Sequence, residues 1–190
     1  MRLLYLVRHA SPRVDPAVPT ATWELSPRGA EEARALARVA VGWNLRALYC
    51  SSEAKARGTA LMLGGPAGLV PNAVEGLEEL RIDDWIANAD EFAERVRRVL
   101  EEPELSHAGA ESAVAAAARF AAALDLIAAG PFPAAAVTHG RVLTAYLSGL
   151  RGVPEPFALW RSIPMPAWAI IDLDAPRGLQ GPFRGLSPAP

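Results

Sequence analysis

Apolar positions along this chain follow two patterns. Leu3-Leu4-Tyr5-Leu6-Val7, Ala47-Leu48-Tyr49-Cys50 and Ala134 to Thr138 are short runs without polar alternation, as expected of strands covered on both faces of a parallel sheet. Ala167 to Leu173 is a fourth such run, and Leu69 to Val74 reads as an edge strand because it contains Pro71. Between the runs the spacing switches to threes and fours. Ala33, Leu36, Ala37 and Ala40 mark a helix with Ser26 as N-cap and Pro27 as its first residue. Ser51 and Ser52 offer caps to a second helix, from about Glu53 to Leu63, stopped by Gly64-Gly65-Pro66. Phe92, Val96 and Val99 define a third, ending near Glu101-Glu102-Pro103. Two more run from about Ala110 to Ala129 and from about Gly140 to Leu150. Residues 10–25 and the stretch holding Pro154, Pro156, Pro164 and Pro166 read as loops, and the Pro/Gly-rich tail from Ala175 reads as loosely ordered. Strands alternating with helices predict a single-domain α/β fold: a doubly wound, mostly parallel sheet with helices on both faces.

Composition narrows the possibilities. The chain has 190 residues, 51% of them apolar, and a formal charge of −2. That suits one globular domain, here residues 1–174 with a tail over 175–190, and excludes a disordered chain. A near-neutral balance argues against nucleic-acid partners, which need a concentrated basic face. One cysteine, Cys50, leaves no intramolecular disulfide and fits a reducing compartment. No apolar run approaches the roughly 18 residues of a membrane span, and Leu3 to Val7 is too short for a signal-peptide core. The expectation is a soluble cytoplasmic protein with no membrane partner; its oligomeric state stays open.

Two histidines occupy matching places, His9 just past the first strand and His139 just past the Ala134 to Thr138 strand. Ligands of open parallel sheets bind beyond the carboxyl ends of the strands, and neighbouring strands are about 4.8 Å apart. If these strands are neighbours, both imidazoles face one crevice, beside Arg8 and the Ser51-Ser52-Glu53-Ala54-Lys55 turn. Two imidazoles and two cations without an acidic ligand cluster suit a phosphate: Arg offers a planar fork of donors and Lys a point charge. A neutral imidazole among cations stays nucleophilic near neutrality and can form a phosphohistidine. A metal site is the weaker reading, because His9, His107 and His139 show no local ligand pairing. Arg8 or Lys55 alone would be an ordinary surface cation, and a lone strand-end histidine is more often structural. Gly64-Gly65-Pro66-Ala67-Gly68 lacks the Gly-Lys-Ser/Thr of a nucleotide loop.

Leu6-Val7-Arg8-His9-Ala10, then Cys50-Ser51-Ser52-Glu53-Ala54-Lys55-Ala56-Arg57-Gly58-Thr59-Ala60, then Ala136-Val137-Thr138-His139-Gly140 resemble, in order and spacing, three motifs of the histidine phosphatase (phosphoglycerate mutase-like) superfamily. Leu25 to Gly29, Leu77-Glu78-Glu79 and Gly109 to Ser112 with Arg119-Phe120 are similar to secondary segments of that family, and the likeness covers residues 2–173. It implies that His9 is the phosphorylated nucleophile, that Arg8 and His139 hold the phosphoryl group, and that Glu79 donates a proton to the leaving group. A carboxyl walled in by Trp85 and apolar loops would have a raised pKa suited to that role, although Glu75, Glu78, Asp83 and Asp84 lie close by. Glu111 with Arg119 reads as a structural pair. Ala10 replaces the usual glycine, and Lys55 stands where the family usually has arginine. Lysine cannot make arginine's bidentate contact, and Arg57, two residues on along a helix, faces elsewhere.

The resemblance implies metal-independent hydrolysis of phosphomonoesters through phosphohistidine, with no cofactor. A small phosphorylated metabolite, or another phosphomonoester, is the expected partner. Two alternatives remain open: a phosphoglycerate mutase-like phosphotransferase, for which a cap over residues 76–108 is short, and a degenerate phospho-ligand binder. The loop from Ser11 to Thr22, with Arg13 and Trp23 nearby, and the cap around Trp85 would set specificity.

Overall fold

The computed structural model describes residues 2–82, 86–107, 109–175 and 179–186. Asp83, Asp84 and Trp85 lie outside the described residues, and with them the expected wall around Glu79. Six strands form one sheet in the order β3-β2-β4-β1-β5-β6: β1 (Leu3–Arg8), β2 (Ala47–Cys50), β3 (Asn72–Ala73), β4 (Ala134–Thr138), β5 (Ala167–Asp172) and β6 (Arg184–Gly185). The first four run parallel, while β5 and β6 are antiparallel additions beside β1.

Alternation along the central strands sorts the core into two layers. Leu4 and Leu6 of β1 and Ala134 and Ala136 of β4 face α4 (Ala113–Ala128) and α5 (Gly140–Arg151), where Phe120, Leu124, Ile127, Leu143 and Leu147 are buried. Val7, Ala135 and Val137 face α1 (Pro27–Ala40) and α2 (Ala54–Gly64), against Leu36, Ala56, Ala60 and Leu63. Each fully buried Leu, Ile or Phe contributes roughly 1.5–3 kcal/mol. Three of the five β4 residues are alanine, and all five are buried. On the α1/α2 side, Trp43 stacks on Tyr5 at 4.3 Å and tilts against Trp168 at 5.7 Å.

Several expectations need correction. The proline-rich stretch is not all loop: Pro156 occupies the first turn of a short helix, α6 (Pro156–Ser162), and proline's fixed φ suits that position. Part of the tail is ordered, because β6 pairs with β5 and the Gln180 amide donates to the Ile170 carbonyl at 2.8 Å. The edge strand shrinks to two residues, paired with β2. Ser26 does cap α1, its Oγ accepting from the Gly29 amide. Neither Ser51 nor Ser52 caps α2; its N-cap is Glu53. Of residues 76–108, α3 (Ala89–Glu101) packs on α5 and α6, with Val96, Val99 and Leu100 buried. Among the described residues no helix is long and apolar enough to cross a membrane.

Candidate active site

Parallel pairing of β1 with β4 puts Arg8 opposite Thr138 and brings the next residues together. The His9 amide continues the ladder to the Thr138 carbonyl at 3.0 Å, and the Ser51 amide does the same from β2 to Val137 at 2.9 Å. Three strand ends therefore deliver His9, Ser51 and His139 to one edge. The imidazoles of His9 and His139 lie 5.0 Å apart between centroids in an edge-to-face arrangement, both buried.

Hydrogen bonding assigns each ring its proton. His9 Nδ1 lies 2.8 Å from the Ala10 carbonyl, which can only accept, so Nδ1 carries the hydrogen and Nε2 the lone pair. His139 Nε2 lies 2.9 Å from Ser51 Oγ. That hydroxyl accepts from the Glu53 amide and has one proton that it can donate to Nε2. In the tautomer that accepts it, the hydrogen of His139 is on Nδ1, a buried atom with no hydrogen-bond partner. Burial lowers both imidazole pKa values, and each ring also feels Lys55 and Arg8; His9 is pushed well below the usual range and His139 to about 3. Both are neutral at physiological pH.

Arg8 lies flat beneath the start of α5. A Cβ at Gly140 would meet its Nε at 3.0 Å and its Cζ at 3.1 Å, so glycine is what lets the guanidinium lie there. Nη1 donates to the Ile163 carbonyl, while Nε is buried without a partner. Thr59 secures the neighbouring backbone, donating to Lys55 O at 2.8 Å and accepting from the Ala10 amide at 3.1 Å.

Two carboxylates, Glu53 and Glu79, enter this pocket. Glu53, buried, pairs with Lys55 Nζ, accepts from the Glu79 amide at 2.8 Å and stands 3.6 Å from His139 Nε2. Lys55 Nζ also donates to the Thr20 carbonyl at 2.8 Å, so it is tied both to its own turn and to the 10–25 loop. Glu79 sits on the N-terminus of α5, accepting from Val142 N at 2.9 Å, Leu80 N at 2.9 Å and Arg141 N at 3.3 Å. Its pKa is not raised as expected. Burial alone would raise it, but Arg141, His139 and the amides of Val142 and Leu80 together lower it to about 2. Arg119 holds the segment carrying it, donating to the Gly76, Glu78 and Glu79 carbonyls and to both oxygens of Glu111. That geometry makes the Glu111–Arg119 pair a brace for the Glu79 loop.

A cleft of about 800 Å³ opens beside these residues, lined by the 16–22 segment, Ser52, Glu53, Glu78 to Ile82, and Arg141. Arg141, Glu53 and Thr59 carried no assignment of their own in the sequence reading. Arg141 did leave a signal, since a cation in the first turn of a helix opposes the helix dipole. Arg57 is exposed, on a different face from Lys55.

Fold and motif order are those of the histidine phosphatase superfamily. The chain matches the model of the histidine phosphatase superfamily, branch 1, over residues 4–178 and belongs to that superfamily. Its fold is that of a mycobacterial hydrolase, Mycobacterial hydrolase 2, at TM-score 0.78 and 23% identity, covering 99% of this chain and 93% of that one. A mycobacterial glucosyl-3-phosphoglycerate phosphatase with inorganic phosphate superposes at TM-score 0.75 and 24% identity, over 96% and 97% of the two chains. A phosphoserine phosphatase variant from Entamoeba histolytica, in complex with phosphoserine, gives 0.72 and 19%, over 95% and 96%. No curated protein matches the chain.

Proposed function

We propose that this protein is a metal-independent phosphatase that hydrolyses phosphomonoesters through a phosphohistidine on His9. The observation that carries this reading is the pair of neutral, buried imidazoles 5.0 Å apart, one with a free lone pair and the other with an unpartnered Nδ1. His9 Nε2 attacks phosphorus, and the P–O bond to the leaving group breaks. Arg8 Nε and His139 Nδ1–H stabilise charge on the non-bridging oxygens. Glu79 protonates the departing oxygen and then takes a proton from the water that attacks the phosphohistidine. Inorganic phosphate leaves and His9 regains its lone pair.

Glu79 is ionised in the free protein, so the substrate must load it. A phosphate dianion beside this carboxylate adds like charge and competes for Arg141, and both effects raise its proton affinity. The phosphoryl donor thereby brings its own acid into play.

A binder without turnover is the second reading, favoured by one observation: Lys55 is already paired with Glu53. Rapid mixing with p-nitrophenyl phosphate and an alkaline detergent quench separates the two. The phosphatase gives an acid-labile, base-stable phosphoenzyme that His9→Ala abolishes; saturable binding with no covalent phosphate would establish the binder.

A further inference from the structure

The two cations nearest the imidazoles after Arg8 are not equivalent. Lys55 is committed: its Nζ donates to the Glu53 carboxylate and to the Thr20 carbonyl. Drawing it toward a ligand would leave Glu53 buried and unpaired, which is strongly unfavourable. Arg141 is held differently. Its Nε is buried and makes no hydrogen bond, and the nearest Glu79 oxygen is 3.5 Å away. Glu79 keeps its hydrogen bonds without it, because the amides of Leu80 and Val142 donate to that carboxylate. The guanidinium of Arg141 lies over the ring of Phe92 of α3, with Cζ 5.5 Å from the ring centroid. A cation in the first turn of α5 faces the positive end of the helix dipole, a placement that an anion at the same spot reverses into a favourable one.

We propose that Arg141 binds the phosphoryl group of the substrate, its guanidinium moving from beside Glu79 onto the non-bridging oxygens while Lys55 stays with Glu53. The assignment rests on the phosphatase reading above and deepens it. Arginine's planar fork suits two phosphoryl oxygens at once. The same movement takes a cation away from Glu79 as the leaving group needs a proton, so substrate binding and acid loading become one event.

The test measures inorganic phosphate binding by calorimetry and kcat/KM on p-nitrophenyl phosphate, using the full chain. Arg141→Gln should weaken phosphate binding about 10- to 100-fold, the usual range for losing hydrogen bonds to a charged group. Arg141→Lys should recover part of that loss. Phe92→Leu, which removes the ring but keeps the guanidinium, should change phosphate affinity by less than about threefold. Phosphate affinity within twofold of wild type in Arg141→Gln overturns the proposal, as does a Phe92→Leu loss as large as that of Arg141→Gln. Wild-type protein that neither binds phosphate nor hydrolyses the ester overturns the phosphatase reading and this assignment with it. Active wild type, inactive His9→Ala and an unaffected Arg141→Gln overturn only the role of Arg141.

Discussion

Two concavities of this molecule make a useful contrast. The groove of about 540 Å³ lined by Leu100, Pro103, Ala113, Ala117, Ala145 and Gly149 is walled mostly by apolar side chains of α3, α4 and α5. Among the described residues, its one buried side-chain polar atom without a hydrogen-bond partner is the Ser148 hydroxyl. The cleft at the strand ends has charged walls, and beside it Arg8 Nε, His139 Nδ1 and Arg141 Nε are all buried and unpartnered. Buried donors left open cost stability unless something else repays them. Shape alone would not choose between these two places; the open donors do.

The contrast is broken first at His9. Replacing it with alanine should lower kcat on p-nitrophenyl phosphate by on the order of 10³-fold or more, with the thermal midpoint little changed, because the ring sits at a strand end outside the two core layers. Retained turnover would falsify the nucleophile assignment. Next comes Glu79. Glu79→Gln removes proton transfer but keeps an oxygen for the Val142 amide, so kcat should fall roughly 10²- to 10⁴-fold. The loss should be smaller for substrates with an already acidic leaving group, such as p-nitrophenyl phosphate, than for an alkyl phosphate.

Acid sharpens the comparison more gently. His9 and His139 have folded-state pKa values depressed by burial, His139 to about 3, so the unfolded chain binds more protons below the ordinary histidine value of 6.5. Their contribution to stability is therefore complete above about pH 6.5 and is lost as the pH falls toward the folded values. The slope is up to about 1.4 kcal/mol per pH unit for each histidine. Denaturant midpoints between about pH 4 and 7 should show this decline, and His139→Asn should flatten it by up to one histidine's share; an unchanged slope contradicts the buried neutral assignment. The smallest effect belongs to the groove. Ala118→Leu, which narrows it, should leave kcat/KM within about twofold and stability within about 0.5 kcal/mol.

Much of this was legible in the chain. The apolar runs ending in Arg8-His9 and Thr138-His139 located β1 and β4, and their pairing as parallel neighbours brought the imidazoles together. Ser26-Pro27 marked the start of α1 through local chemistry that needs no partner. What escaped depended on partners distant in sequence. The two-residue β6 exists because β5 offers an edge, and no local pattern announces that. Ser51 looked like a helix cap, but His139 takes its hydroxyl. Glu53 looked like an ordinary first-turn acid until the fold set Lys55, His139 and the Glu79 amide around it. The depressed pKa of Glu79 came from the N-terminus of α5 and from Arg141, some sixty residues on. Proline at the start of α6 was a start signal that three nearby prolines, Pro154, Pro164 and Pro166, masked.

The position of β1 has one more consequence, for a protein made from its amino end. Its strand is made before the others of the sheet, yet it needs β4 on one side and β5 on the other, and Arg8 is fixed by the carbonyl of Ile163. A ribosome-bound chain that has not yet released residue 172 therefore holds the proposed nucleophile without the neighbours that orient it. Activity should arise only once that later-emerging antiparallel strand docks.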